Sequence, residues 1–178
     1  MNQTIHIQTP LTDEVVRSLK AGDRVTISGV VYTGRDQAHK RLCELLDAGR
    51  KLPVDLAGQV IYYVGPTPAA EGRAIGAAGP TTSSRMDAFS PKLYAAGLKA
   101  TIGKGYRGQG VIESLKQNGC VHFAAIGGAG ALLSKHIVNC QTVAYPELGT
   151  EAIRKLEFVD FPAIVAYDCH GKSAYEMQ

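Results

Sequence analysis

The sequence predicts an α/β domain. Short β-branched runs alternate with stretches whose apolar residues fall at helical spacing, and most junctions between them carry glycine. The chain has 178 residues, 45% of them hydrophobic, which is enough for one real core. No internal repeat or linker-like segment interrupts it, so a single domain over residues 1–178 is expected.

The elements follow in order. Arg24–Val31 reads as a strand by its β-branched content. From Asp36 the spacing of Ala38, Leu42, Leu45 and Leu46 predicts a helix, and Gly49 supplies its stop. Gln59–Val64 is the next strand, closed by Gly65 and Pro66, and Ala74–Ala78 is expected to be a short one. After Gly79 and Pro80, Thr81–Asp87 reads as a helix start capped by hydroxyls. Leu98–Ile102 predicts a strand, Val111–Asn118 a helix and Val121–Ile126 a buried strand. A helix to about Ile137, a strand at Thr142–Tyr145, a helix near Thr150–Leu156 and a strand at Ala163–Tyr167 complete the reading. This count leaves room for a second, antiparallel layer.

Composition narrows the function. The formal net charge is +3, and Lys and Arg form no stripe, which argues against a nucleic-acid partner. No run approaches the roughly 20 apolar residues of a membrane span. The start, Met1 to His6, lacks the pattern of a signal peptide, so a soluble, cytoplasmic protein is expected. Cys43, Cys120, Cys140 and Cys169 are scattered without a C-x-x-C pair, so reduced thiols are expected and no metal ligand is assigned to this chain.

Four places could carry chemistry. In Gly34-Arg-Asp-Gln-Ala-His39, Arg35 lies where a strand gives way to a helix, so a carboxylate could meet both guanidinium and free N–H groups. His39 falls on the same helical face, although both residues could equally be ordinary surface groups. Gly79-Pro-Thr-Thr-Ser-Ser-Arg85 offers hydroxyls and an arginine at a second helix start, which reads equally well as capping. In Ile102-Gly-Lys-Gly105 a lysine stands between glycines at a strand end, either against a charged ligand or in a surface turn. Residues 103–108 spell G-x-G-x-x-G, but no helix follows at once and no acidic ribose partner lies about 20 residues on, so the dinucleotide reading is rejected. Gly127-Gly-Ala-Gly130 reads as a close strand–helix approach, or else as an opening where backbone meets a ligand or a partner chain. Arg35, Arg85 and Lys104 would together place three cations at successive strand ends, a set suited to a small dicarboxylate.

These motifs, with Tyr63-Val-Gly-Pro66 and Asp168-Cys-His-Gly171, occur in one order from about Pro10 to Tyr175. In that order the chain resembles the β subunit, or C-terminal domain, of class I fumarases and L-tartrate dehydratases. The resemblance implies a swivelling three-layer β/β/α domain with a mainly parallel central sheet. It implies a [4Fe–4S] cluster ligated by a partner α subunit rather than by this chain, hence a hetero-oligomer acting on a C4 dicarboxylate. By match to the family motifs, Arg35, Arg85 and Lys104 would bind substrate and Thr81 would be the catalytic base, with His39 a second acid/base candidate. Ser83-Ser84 stand where many relatives have Ala-Gly; little effect is expected, because Thr81 and Arg85 keep their separation. The implied reaction is reversible hydration of fumarate to L-malate. Tartrate dehydration and a non-catalytic anion-binding or assembly module are the alternatives.

Overall fold

The computed structural model describes residues 3–126 and 130–176. Strands β1 (Ile5–Gln8), β2 (Arg24–Thr33), β3 (Val60–Tyr62), β4 (Ala100–Gly103) and β5 (Val121–Ala125) run parallel as neighbours in that order. Strands β6 (Ile137–Ala144) and β7 (Ile153–Tyr167) pair antiparallel with each other. The long β7 does the closing. One edge pairs with β2 from Arg24 to Tyr32, and the other pairs first with β6 and then with β5. The seven strands therefore form one mixed sheet closed into a barrel. The α/β class expected from the sequence is the one found, and four of the seven strand pairings are parallel.

Alternation along the strands separates two cores. Val60 and Tyr62 of β3, Ala100 and Ile102 of β4, and Val121 and Phe123 of β5 join Val16 of helix α1 (Asp13–Ser18), Val25, Ile27 and Val31 of β2, and Phe158, Phe161 and Val165 of β7. The residues between them, such as Ile61 and Tyr63, pack instead against helices α2 (Asp36–Asp47), α3 (Ser90–Ala95) and α4 (Gln109–Asn118) through Leu42, Leu93, Val111 and Leu115. The polar Thr101 and His122 are also fully buried, at the alternating positions of β4 and β5.

The strand Ile5–Gln8 and the helices Asp13–Ser18 and Ser90–Ala95 have no counterpart in the sequence reading, and three expected elements take another form. The helix expected near Thr150–Leu156 is a 3-10 turn over Pro146–Glu151 followed by the start of β7. Ile153 and Leu156 have helical spacing, yet Leu156 and Phe158 are buried between exposed Lys155 and Glu157, and pairing to both β2 and β6 decides the outcome. Ala74–Ala78 is a loop rather than a strand, held by the bond from Tyr62 hydroxyl to Ala78 O and by Gly76 N to Thr67 O. Thr81–Asp87 enters no α-helix but a single 3-10 turn, Ser83–Met86, without a hydroxyl cap. Of the Gly127–Gly130 motif, residues 127–129 lie outside the described residues. Gly130 itself comes so close to the 78–79 backbone that a Cβ there would sit 2.7 Å from Gly79 N.

Candidate active site

The parallel strands all end at one edge, and the sequence motifs sit on the segments that leave it. At the end of β2, Gly34 N donates to Tyr62 O and Arg35 begins α2. After β3, Tyr63 N donates to Ile102 O, so this chain still runs beside β4. The 81–87 segment then returns to the same place. Thr81 N donates to Tyr63 O at 2.7 Å, Lys104 N donates to Thr81 O, and Ser83 N donates to Lys104 O at 2.8 Å. Thr82 and Lys104 form a parallel bridge. Thr81 and Lys104, 23 residues apart in sequence, are thus zipped together by main chain at the end of β4.

Arg85 is carried across the site by the 3-10 turn and reaches Asp36 in the first turn of α2. Its Nε and Nη2 both donate to Asp36 Oδ2, at 3.2 and 3.0 Å. One carboxylate oxygen therefore occupies the inner edge of the guanidinium and leaves the Nη1 side free, the geometry a second carboxylate could use. The Arg85 side chain is 49% exposed, so the pair contributes little to stability and serves mainly to aim the arginine. Arg35 lies across Gly65, where a Cβ would stand 2.7 Å from its Nη1; only glycine leaves that passage clear. Arg35 Nε and Asp36 Oδ1 are buried without a hydrogen-bond partner. Buried polar atoms are rarely left so, which marks this helix start as a place built to receive a polar group.

Of the five residues picked out by sequence, then, Arg85 is bonded to Asp36, the residue after Arg35, and Thr81 and Lys104 meet through backbone. His39 is different. It is fully buried behind Arg35, its Nδ1 donating to Arg35 O at 2.8 Å and its Nε2 without a partner. Burial pulls its pKa down to about 4, so the ring is neutral at pH 7. Because the folded value lies below the unfolded 6.5, the unfolded chain binds this proton first as pH falls. Stability is therefore whole above pH 6.5 and declines towards pH 4, by on the order of 3 kcal/mol from this group. His122, held neutral by burial and then by Arg107, adds in the same direction. Thermal melts across this range should show the decline, and His39→Leu should flatten part of it; an unchanged slope would contradict the assignment.

Sequence reasoning passed over Asp36, as the partner of Arg85, and a polar cluster beneath the 81–87 turn that includes Arg107 and His122. The signal was present in the period-two placing of His122 and Thr101 within strands, but a lone buried histidine carries no direction until its neighbours are known. A cleft of about 410 Å³, lined in part by Pro66, Thr67, Thr150 and Arg154, adjoins the Arg35 end but includes none of Arg35, Thr81, Arg85 and Lys104. With Arg85 and Lys104 both exposed, the cations stand on an open rim.

Cys43, Cys120, Cys140 and Cys169 are unpaired thiols, and burial raises the pKa of each. Among the described residues no three His, Cys, Asp or Glu side chains gather as a metal site. The described residues therefore do not fit an iron–sulfur cluster.

The model of one protein family, Fumarase C-terminus, matches residues 1–178. The chain belongs to that family. It is 40% identical over 155 residues to the aerobic class I fumarate hydratase of Escherichia coli K12, covering 86% of this chain and 28% of that protein. Fumarate hydratase 2 of Leishmania major is 38% identical over 156 residues, covering 86% of this chain and 28% of that enzyme. A Methanocaldococcus jannaschii protein provisionally named L(+)-tartrate dehydratase subunit beta is 38% identical over 172 residues, 93% of this chain and 88% of its own length. The chain thus spans about a third or less of the fumarate hydratases it matches, but nearly the whole of the subunit-sized relative. No helix among the described residues is long and apolar enough to cross a membrane.

Proposed function

We propose that this fumarase-family chain is the β part of an iron–sulfur hydro-lyase that reversibly hydrates fumarate to L-malate in the cytoplasm. One observation carries the reading: Arg85, held by Asp36 at the helix start next to Arg35, lies on the same turn as Thr81, which main-chain bonds join to Lys104. A C4 dicarboxylate needs positive partners at both ends. As a C–H bond beside a carboxylate forms or breaks, negative charge grows on that carboxylate, and fixed cations then stabilise the transition state more than the substrate.

In this reading Arg35 and Arg85 hold the carboxylates, Lys104 faces the hydroxyl, and Thr81 moves the proton on carbon. His39, neutral and buried, seats the main chain of Arg35. The iron–sulfur cluster is assigned to a partner α subunit, in keeping with a relative whose name is that of a subunit beta. The open rim would be completed by that partner, against which this domain would swivel. Tartrate dehydration is the second reading, favoured by the name of the M. jannaschii protein at 38% identity.

The test is to express the chain with its cluster-bearing partner, purify the complex without oxygen, and assay fumarate hydration beside tartrate dehydration. Turnover of fumarate well above tartrate is expected, with none from the isolated chain. Preference for tartrate would select the second reading. An isolated chain that assembles a cluster and turns over fumarate would overturn the division of labour, as would a cluster-loaded complex inactive on both acids.

A further inference from the structure

The 81–87 turn carries Thr81 and Arg85, yet it is a 3-10 segment of only one turn and cannot be stiff by itself. Something beneath must hold it. The side chain of Arg107 is wholly buried there. Its Nε donates to Asp87 Oδ1 at 2.8 Å and its Nη2 to Ser90 Oγ at 2.7 Å. Its Nη1 donates to Tyr63 hydroxyl at 3.1 Å and to His122 Nδ1 at 3.2 Å. The second oxygen of Asp87 accepts from Gly108 N at 2.8 Å, so the segment after Lys104 grips this carboxylate with both side chain and main chain.

We propose that Arg107 is a positioning residue for the dicarboxylate rim, clamping the 81–87 turn at Asp87 so that Thr81 and Arg85 keep their places beside Lys104. The turn is tied at its start to Lys104 by main-chain bonds, and the Arg107–Asp87 pair ties its end, two residues beyond Arg85. A third tie runs through the same cluster. His122 Nδ1 accepts from Arg107, which leaves Nε2–H to donate to Ser83 Oγ at 3.1 Å. Stability alone gives no reason for such a device. A guanidinium is costly to desolvate, and a well-packed apolar cluster is often at least as stable. What an apolar cluster lacks is direction: the planar fork fixes four partners from three segments at set angles.

The kinetic part of this inference rests on the hydro-lyase reading, so the experiment carries a readout that does not. Arg107→Met and Arg107→Lys are compared in the assembled enzyme, with Asp87→Asn as the variant that weakens the clamp without emptying the buried site. Arg85→Ala serves as the control. For Arg107→Met and Asp87→Asn, kcat/KM should fall at least tenfold, since a displacement of about 1 Å in a positioning group can cost about a hundredfold. KM should rise along with the loss of kcat, because Arg85 would lose its aim. Arg107→Lys should recover part of the loss. Amide hydrogen exchange at Ser83 and Asp87 should quicken by tenfold or more in both weakened variants. A lowered melting temperature with wild-type kcat, KM and amide exchange would show a merely structural residue and overturn the proposal. Activity untouched by Arg85→Ala would sink the hydro-lyase reading instead, while the exchange data would still judge Arg107.

Discussion

Replacing Arg85 by Ala is expected to reduce kcat/KM of the assembled enzyme for its dicarboxylate by about 30-fold to several thousandfold. With the rim covered by the partner in the assembled enzyme, the substrate–Arg85 pair is buried, and removing one member of a buried charge pair costs about 2–5 kcal/mol at one decade for each 1.4 kcal/mol. Two observations place Arg85 at the upper end. Its Nε and Nη2 are already held by Asp36, so the free edge needs no ordering when substrate arrives. Its loss would also leave Asp36 without either partner, since Oδ1 has none now. The Asp36 carboxylate would then repel the substrate that Arg85 attracted. Arg85→Lys keeps the charge but not the fork, and should fall between the two. Thr81→Ala should lower kcat with a smaller change in KM, as expected for a group acting on the reacting carbon. Cluster absorbance should survive all three changes. Steady-state kinetics of the complex provide the measurement, and an Arg85→Ala enzyme within threefold of wild type would remove the basis for the proposed site.

Gly103→Ala is the substitution expected to damage both fold and site. Gly103 ends β4, and a Cβ there would stand 2.2 Å from Ser83 Oγ, 2.9 Å from Tyr63 Cδ2 and 3.3 Å from Ser83 Cβ. All three atoms belong to buried residues, so none can swing into solvent. Overpacking of this kind typically costs about 1–3 kcal/mol. For a chain of this size that corresponds to a fall of roughly 2–12 °C in Tm. The clash also drives Ser83 away from Lys104 and His122, so activity should drop further than stability alone explains. The double variant Gly103→Ala/Ser83→Ala removes the nearest of the three contacts and should recover part of the Tm. Calorimetry checks both numbers. A single variant melting like wild type would mean that the turn is looser than its contacts indicate.

Ser83 also shows where family-level reading stops. On the motif resemblance alone it is expected to matter little. Yet its hydroxyl is buried and bonded to His122, a contact no alignment of short motifs would reveal. His39 illustrates the converse. Its place four residues after Arg35 suggested a shared face and a shared task. That face turns inward within one helical turn, so Arg35 remains half-buried at the rim while His39 packs edge-on against Tyr63 in the core.

Sequence by itself determined the α/β class, most of the strands and helices before Asn118, and the identity of the cationic and hydroxyl residues at strand ends. Those features are written in local periodicity and in glycine-marked junctions, which short segments express without help. Tertiary structure alone decided that residues 153–167 form one long strand, that this strand closes the sheet, and that Asp36 and Arg107 are bonded to Arg85 and Asp87 of the 81–87 turn. Each of these depends on partners 20 to 140 residues away, through strand pairing or a charge seeking its hydrogen bonds. Such choices are settled by which distant groups can satisfy one another in a closed core, and no local window contains that information.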